Sequence, residues 1–285
     1  MSAVKIIETP RDGIQGIKKI IPTKEKLELI NSLLQVGFEG VEVGSFVSPK
    51  AIPQLKDTIE IIDGLNLQNT SSKVMVLTGN IRGAETASKL QQIDQVIFPY
   101  SVSGSFLIRN INTDLKSGWV RLLNIKDIVQ NSGKELIVYL TMGFGNPYGD
   151  DWSISLVVDW AGRLIEEGVQ IIPLSDITGE ADPDKIYNVY STLMEEFPET
   201  EFGLHLHSSK DGLFEKLDAS WKAGCRRYDT VSGGLGGCPM TGKEMLTNLD
   251  TWDLITFLKE INVEHGLNKE VLRKASNIIV HFVEQ

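Results

Sequence analysis

Gly203-Leu204-His205-Leu206-His207 lies in an apolar run, residues 201–207, that leads through a helical stretch, 213–223, and a stop at Gly224 into a second apolar run, 227–231. A strand, a helix and a strand within about 30 residues make one βαβ unit, whose helix carries the chain back so that both strands run parallel. The same pattern recurs along the chain. Short runs rich in aliphatic residues stand at 4–9, 40–46, 73–77, 95–98, 136–140 and 169–174. They are apolar at most positions, as strands buried on both faces are. Helical stripes separate them at 24–34, 55–62, 81–90, 115–129, 153–167 and 183–197. In the first stripe Thr23 reads as the N-cap, and Glu25 falls in the first turn, where the helix dipole favours a negative charge.

Eight such units in roughly 250 residues predict an α/β fold, a (β/α)8 TIM barrel. Residues 254–258 and 271–283 read as extra helices after the barrel closes. An open doubly wound sheet is the alternative, and no Gly-x-Gly-x-x-Gly follows the first strand to support it. No linker, internal repeat or low-complexity segment breaks the 285 residues. One catalytic domain spanning 1–285 is therefore expected, with C-terminal helices from about residue 250.

Apolar residues make up 41% of the chain and charged residues 23%, ordinary values for a globular protein. The net charge of −10 disfavours nucleic acid and anionic membrane as partners. An anionic substrate would need a local arginine or a metal. Cys225 and Cys238 are the two cysteines and make no disulfide framework, which fits a reducing, cytoplasmic location. Residues 1–7 lack a basic segment followed by a long apolar run, so no signal peptide is expected. No stretch approaches the ~20 apolar residues that cross a bilayer.

In such a barrel the active site lies at the C-terminal ends of the strands. Unusual polar residues gather there in sequence: Arg11-Asp12-Gly13-Ile14-Gln15 after strand one, Glu42 and Ser45 on strand two, Ser101 and Ser103 after strand four, and Ser175-Asp176 after strand six. His205 and His207 end strand seven and share one face, where two imidazoles can meet one divalent ion. Strand eight opens into Gly233-Gly234-Leu235-Gly236-Gly237-Cys238-Pro239, with Asn248 beyond. Glycines in that density let the backbone pass close to a ligand or swing as a lid. Each residue also has a plainer reading. The histidines could face water, Cys238 could be a small buried hydrophobe, and Arg11-Asp12 a surface turn. Glu42 could pair with a lysine, and Asp176 could cap the next helix. Taken together, Asp12, His205, His207 and Asn248 offer a mixed N/O site for Mg²⁺, Mn²⁺, Zn²⁺ or Co²⁺. Arg11 could stabilise an enolate oxygen, and Cys238 could move a proton. This equipment suits cleavage of a carbon–carbon bond next to a carbonyl.

At these positions the chain resembles the 3-hydroxy-3-methylglutaryl-CoA lyase family, within the metal-dependent acyl-CoA lyase and carboxylate synthase barrels. The motifs that carry the likeness are Arg11-Asp12-Gly13-Ile14-Gln15, Ser45-Phe46-Val47-Ser48-Pro49-Lys50 with Pro53-Gln54, Asn110-Ile111-Asn112, His205-x-His207 and Gly234-Leu235-Gly236-Gly237-Cys238-Pro239. The resemblance implies a divalent cation, Mg²⁺ or Mn²⁺ first, held by Asp12, His205, His207 and Asn248. It implies Cys238, Arg11, Glu42 and Asp176 as catalytic or supporting groups, and Arg11, Gln15, Ser45 and Ser103 at the substrate. The implied reaction converts 3-hydroxy-3-methylglutaryl-CoA to acetyl-CoA and acetoacetate, in a homodimer. Related lyases or Claisen-type condensing enzymes acting on another hydroxyacyl-CoA or a 2-oxo acid are the alternative, and a non-catalytic metal- or acyl-CoA-binding barrel is a further one. The chain departs from the family pattern around the substrate. Ser208-Ser209-Lys210-Asp211 replaces Asp-Thr-Tyr-Gly, Gly104 and Trp252 stand where glutamates are usual, and Ile137 stands where an arginine is usual.

Overall fold

The computed structural model describes residues 4–236 and 246–284. Eight parallel strands close on themselves: β1 (Lys5–Glu8), β2 (Gly40–Ser45), β3 (Lys73–Leu77), β4 (Gln95–Ser101), β5 (Glu135–Thr141), β6 (Ile171–Asp176), β7 (Glu201–Ser208) and β8 (Arg227–Thr230). Each strand pairs with its neighbour in sequence, and β8 returns to β1 with Lys5 opposite Arg227 and Glu8 opposite Thr230. The sheet is thus the expected TIM barrel and not an open doubly wound sheet. A ninth strand, β9 (Thr247–Asn248), runs antiparallel to the end of β7 and sets Asn248 opposite His207.

Around the barrel stand α1 (Pro10–Ile14), α2 (Thr23–Leu33), α3 (Thr58–Asp63), α4 (Ile81–Lys89), α5 (Gly104–Ile111), α6 (Leu115–Asn131), α7 (Ile154–Glu166), α8 (Pro183–Glu196) and α9 (Leu213–Lys222). The expected extra helices are α10 (Thr251–Glu260) and α11 (Lys269–Glu284), and α11 packs on α2. Helices α4 to α8 each start on Asn80, Ser103, Asp114, Ser153 or Asp182, whose side chain accepts a backbone N–H three residues on. Each such cap contributes about 1 kcal/mol. Thr23 differs from expectation. It is the first helical residue, and its hydroxyl donates to Asp57 Oδ2 at 2.7 Å instead of capping. Two helices, α1 and α5, were not legible as separate stripes, because each is too short to show a helical period. None of the helices among the described residues is long and apolar enough to cross a membrane.

The barrel is filled, not hollow. Ile7, Met75, Ile97, Ile137, Tyr139 and Ile171 pack as an inner layer, and a larger core lies between strands and helices. Ile137 is fully buried in this apolar floor. One irregularity matters for the site. The pairing of β2 with β3 slips between Glu42 and Gly44. Strict alternation would put Glu42 and Ser45, three apart, on opposite faces. The bulge turns both toward the barrel interior and sends Gly44 outward, where a Cβ would fall 2.6 Å from the Thr58 methyl.

Candidate active site and metal centre

The end of β1 runs directly into α1, whose first residue is Pro10 and whose single turn presents Arg11 and Asp12 to the barrel mouth. Opposite, alternation along β7 sends His205 and His207 inward. One donor atom each from Asp12, His205 and His207 lies within 4.8 Å of the others, and all three residues are buried. His205 Nε2 and His207 Nε2 are 3.2 Å apart, and His207 Nε2 is 3.5 Å from Asp12 Oδ2. The β7–β9 register brings in Asn248, whose Nδ2 donates to Asp12 Oδ2 at 2.8 Å and to the Leu235 carbonyl at 2.9 Å. The four residues expected as ligands therefore come together, with Asn248 turning its amide nitrogen toward Asp12.

These residues fit a divalent cation. Burial opposes the Asp12 charge, but Arg11 and the two imidazoles hold its carboxyl well below the usual carboxylate range. An anionic oxygen beside two ring nitrogens at contact distance is a donor set of mixed N/O type, suited to Mn²⁺, Zn²⁺ or Co²⁺ and, with water, to Mg²⁺. Burial alone would lower the pKa of His205, yet Asp229 and Asp12 outweigh it and raise it. A proton therefore competes with the cation there, and affinity should fall as pH drops.

Arg11 is held by a fork. Its Nε and Nη2 donate to the two oxygens of Glu42 at 2.8 and 2.9 Å, and Nη1 donates to Asp12 Oδ1 and Gln15 Oε1, both at 3.1 Å. Gln15 Nε2 donates to Asp12 Oδ1 at 2.6 Å. Burial pushes Glu42 up to about 7 against the pull of Arg11. Arg11, Asp12, Gln15, Ser45, His205 and His207 all line one cavity of about 180 Å³, walled by apolar side chains such as Val47, Phe106 and Ile177.

Other expected residues stand back from it. Ser103 caps α5: its hydroxyl accepts the Phe106 N–H and donates to Asp150 Oδ2 at 2.5 Å. It acts on the cavity through α5, which supplies Phe106 and Asn110 to the wall. Alternation along β6 puts Ser175 on the cavity and turns Asp176 away. The Asp176 carboxylate accepts backbone N–H groups of Thr178, Gly179, Glu180 and Ala181 and so shapes the β6–α8 loop. Cys238 lies outside the described residues. The last described residue before it, Gly236, has φ +83°, and a Cβ there would fall 2.7 Å from the Asp12 carbonyl and 2.9 Å from Asn248 Nδ2. Only glycine lets the backbone pass so close.

Sequence reasoning missed two residues that touch the cluster. Asp229 Oδ2 lies 3.2 Å from His205 Nδ1 and accepts the Tyr139 hydroxyl at 2.6 Å. The signal was a charged pair two apart, Arg227 and Asp229, in a strand that must be buried on both faces.

Another buried carboxylate, Glu8, ties the base of the Cys238 loop to β1. It accepts the Ser232 N–H at 2.6 Å, the Thr251 hydroxyl at 2.8 Å and the Thr230 hydroxyl at 3.2 Å. Burial outweighs these donors and pushes its pKa up from 4.5 to about 7. The folded state then holds this proton where the unfolded chain has lost it, so the Glu8 contribution to stability falls as pH rises from 4.5 to about 7 and is level above. In Glu8→Gln the amide oxygen keeps the Ser232 bond and the amide N–H can donate to the threonine hydroxyls. We expect this variant to gain about 1–3 kcal/mol at alkaline pH and to lose part of the wild-type pH dependence in urea melts at about pH 5 and 8. An unchanged pH dependence would count against a strained Glu8 carboxylate.

The mitochondrial hydroxymethylglutaryl-CoA lyase of Homo sapiens is 31% identical over 277 residues, which cover 97% of this chain and 84% of that one. A hydroxymethylglutaryl-CoA lyase of Bacillus subtilis is 29% identical over 270 residues, covering 95% and 89%. A solved HMG-CoA lyase of Acinetobacter baumannii, in complex with coenzyme A and 3-methylmalate, matches with a TM-score of 0.91 at 28% identity over 99% of this chain and 92% of that one. A family model described as HMGL-like covers residues 3–279, and the chain belongs to that family.

Proposed function

We propose that this chain is a carbon–carbon lyase that cleaves 3-hydroxy-3-methylglutaryl-CoA to acetyl-CoA and acetoacetate. The observation that carries this reading is the buried Asp12–His205–His207 cluster, with Arg11 beside it in the same cavity. A divalent cation bound there supplies Lewis-acid polarisation of substrate oxygens. In the reaction the tertiary hydroxyl loses its proton and the neighbouring C2–C3 bond breaks. Its electron pair passes to the thioester carbonyl, and the enolate takes a proton at C2 to become acetyl-CoA. Arg11 faces the oxygen that gains charge, and Glu42 and Gln15 orient its guanidinium. Asp176 and Ser103 position the surrounding loops. Cys238 is the proposed proton carrier. A second cavity of about 430 Å³ shares Ser45 and Val47 with the first, and its Lys56 and Arg82 suit the phosphates of an acyl-CoA.

The purified protein with Mg²⁺ or Mn²⁺ should release acetoacetate from this thioester, lose that activity with a chelator and regain it when metal is restored. No acetoacetate with metal present overturns the reading. Cys238→Ser should bind the cation as tightly as wild type and lower turnover by about 10²–10⁴, the range for a general acid–base group. Undiminished turnover would remove Cys238 from the reaction. A different hydroxyacyl-CoA is the alternative, and a panel of acyl chains compared by kcat/KM separates the two. We further propose a homodimeric, cytoplasmic protein whose 285 residues act as one catalytic domain. A reducing compartment suits Cys225, which is buried and whose thiol burial pushes up to about 12.

A further inference from the structure

His205 has two ring nitrogens and, when neutral, one hydrogen to place. Nε2 faces His207 Nε2, on the side of Asp12. Nδ1 faces Asp229 Oδ2 on β8, the residue opposite His205 in the strand register. The Asp229 side chain is fully buried, and the same Oδ2 accepts the Tyr139 hydroxyl at 2.6 Å. The phenol has one hydrogen and is the donor in this contact. The Tyr139 ring packs on His205 with centroids 5.5 Å apart. Asp229 Oδ2 therefore sees one donor from the phenol and one from the imidazole. A carboxylate has no hydrogen to give, so the imidazole nitrogen in contact with it must carry one.

We propose that Asp229 is a positioning residue that fixes neutral His205 as its Nδ1–H tautomer, which leaves the Nε2 lone pair aimed at the divalent cation. The proposal rests on the metal-site reading above, although its first test needs neither cation nor substrate. Metal-binding histidines generally hold the other nitrogen in this way, and loss of the holding group weakens metal binding by about 10–100-fold. Tyr139 serves as the second anchor of the carboxylate.

Nitrogen NMR on the metal-free, histidine-labelled protein, at a pH where the ring is neutral, reads the tautomer directly. Wild type should show His205 as Nδ1–H. An Nε2–H ring in wild type overturns the proposal, even if no variant folds. Asp229→Ala should populate the Nε2–H form and weaken Mn²⁺ binding in calorimetry by about 10–100-fold. An unchanged tautomer and affinity in that variant also overturn it. Tyr139→Phe, which leaves the carboxylate in place, should keep the Nδ1–H tautomer. The same loss of affinity in Tyr139→Phe as in Asp229→Ala would show a packing effect and sink the assignment. Failure of the lyase assay leaves the tautomer result standing, so the two readings fail separately.

Discussion

Arg11→Gln should lower turnover by about 10²–10³-fold, the cost of removing one preorganised donor from a developing oxyanion. It should also destabilise the fold. Arg11 and Glu42 are both buried, and the guanidinium occupies both carboxylate oxygens. Breaking such a pair from one side typically costs about 3–5 kcal/mol, because a buried charge is left uncompensated. Glu42 already stands at about 7 through burial. Without Arg11 its pKa rises further, and the folded state prefers it protonated. The cost is then fully present at alkaline pH and is relieved as pH falls through the raised pKa. Arg11→Gln should therefore melt lower than wild type by a wider margin at about pH 8 than at about pH 6. Adding Glu42→Gln removes the orphan charge, so Arg11→Gln/Glu42→Gln should recover stability and not turnover. Recovered turnover in the double variant would mean that Arg11 serves the fold and not the enolate.

His205→Ala should abolish metal retention. It takes one imidazole from a set of two and leaves Asp12, His207 and Asn248 to hold the ion. We expect a fall in affinity of about 100-fold or more, at least the upper range for loss of an outer-shell partner. Thermal melts give a second reading. At a metal concentration 100 times the wild-type Kd, binding stabilises the folded state by about 2.7 kcal/mol; after a 100-fold loss of affinity the same concentration gives about 0.4 kcal/mol. Metal-induced stabilisation should thus nearly vanish in the variant, and elemental analysis after dialysis should find no bound ion. A variant that keeps the wild-type shift would move the metal site away from β7.

Much of this was legible in the residues. The alternation of Gly203-Leu204-His205-Leu206-His207 sets two imidazoles on one face, because successive strand residues point to opposite sides. Buried parallel strands announce themselves as aliphatic runs, and the repeat of run and stripe counts out the barrel. Motif reading also marked Arg11, Asp12, Gln15, Ser45 and Asn248, all of which reach the site. Short elements were less legible. The one-turn α1 and the two-residue β9 carry no period, yet β9 decides that Asn248 stands opposite His207. Asp176 was marked by its place after β6, but the pleat turns it to backbone N–H groups and leaves Ser175 on the cavity.

Local chemistry, then, was enough to mark the barrel, the candidate ligands and the end of the barrel where they gather, since periodicity and residue type are properties of short stretches. Partnership was not. Whether Glu42 meets a lysine or Arg11, and whether Asp229 lies against solvent or His205, depends on a bulge in β2 and on the β7–β8 register. Those contacts join residues 31 and 24 positions apart. Their choice is made by long-range packing of a closed sheet, where a shift of one residue would turn each side chain to the other face.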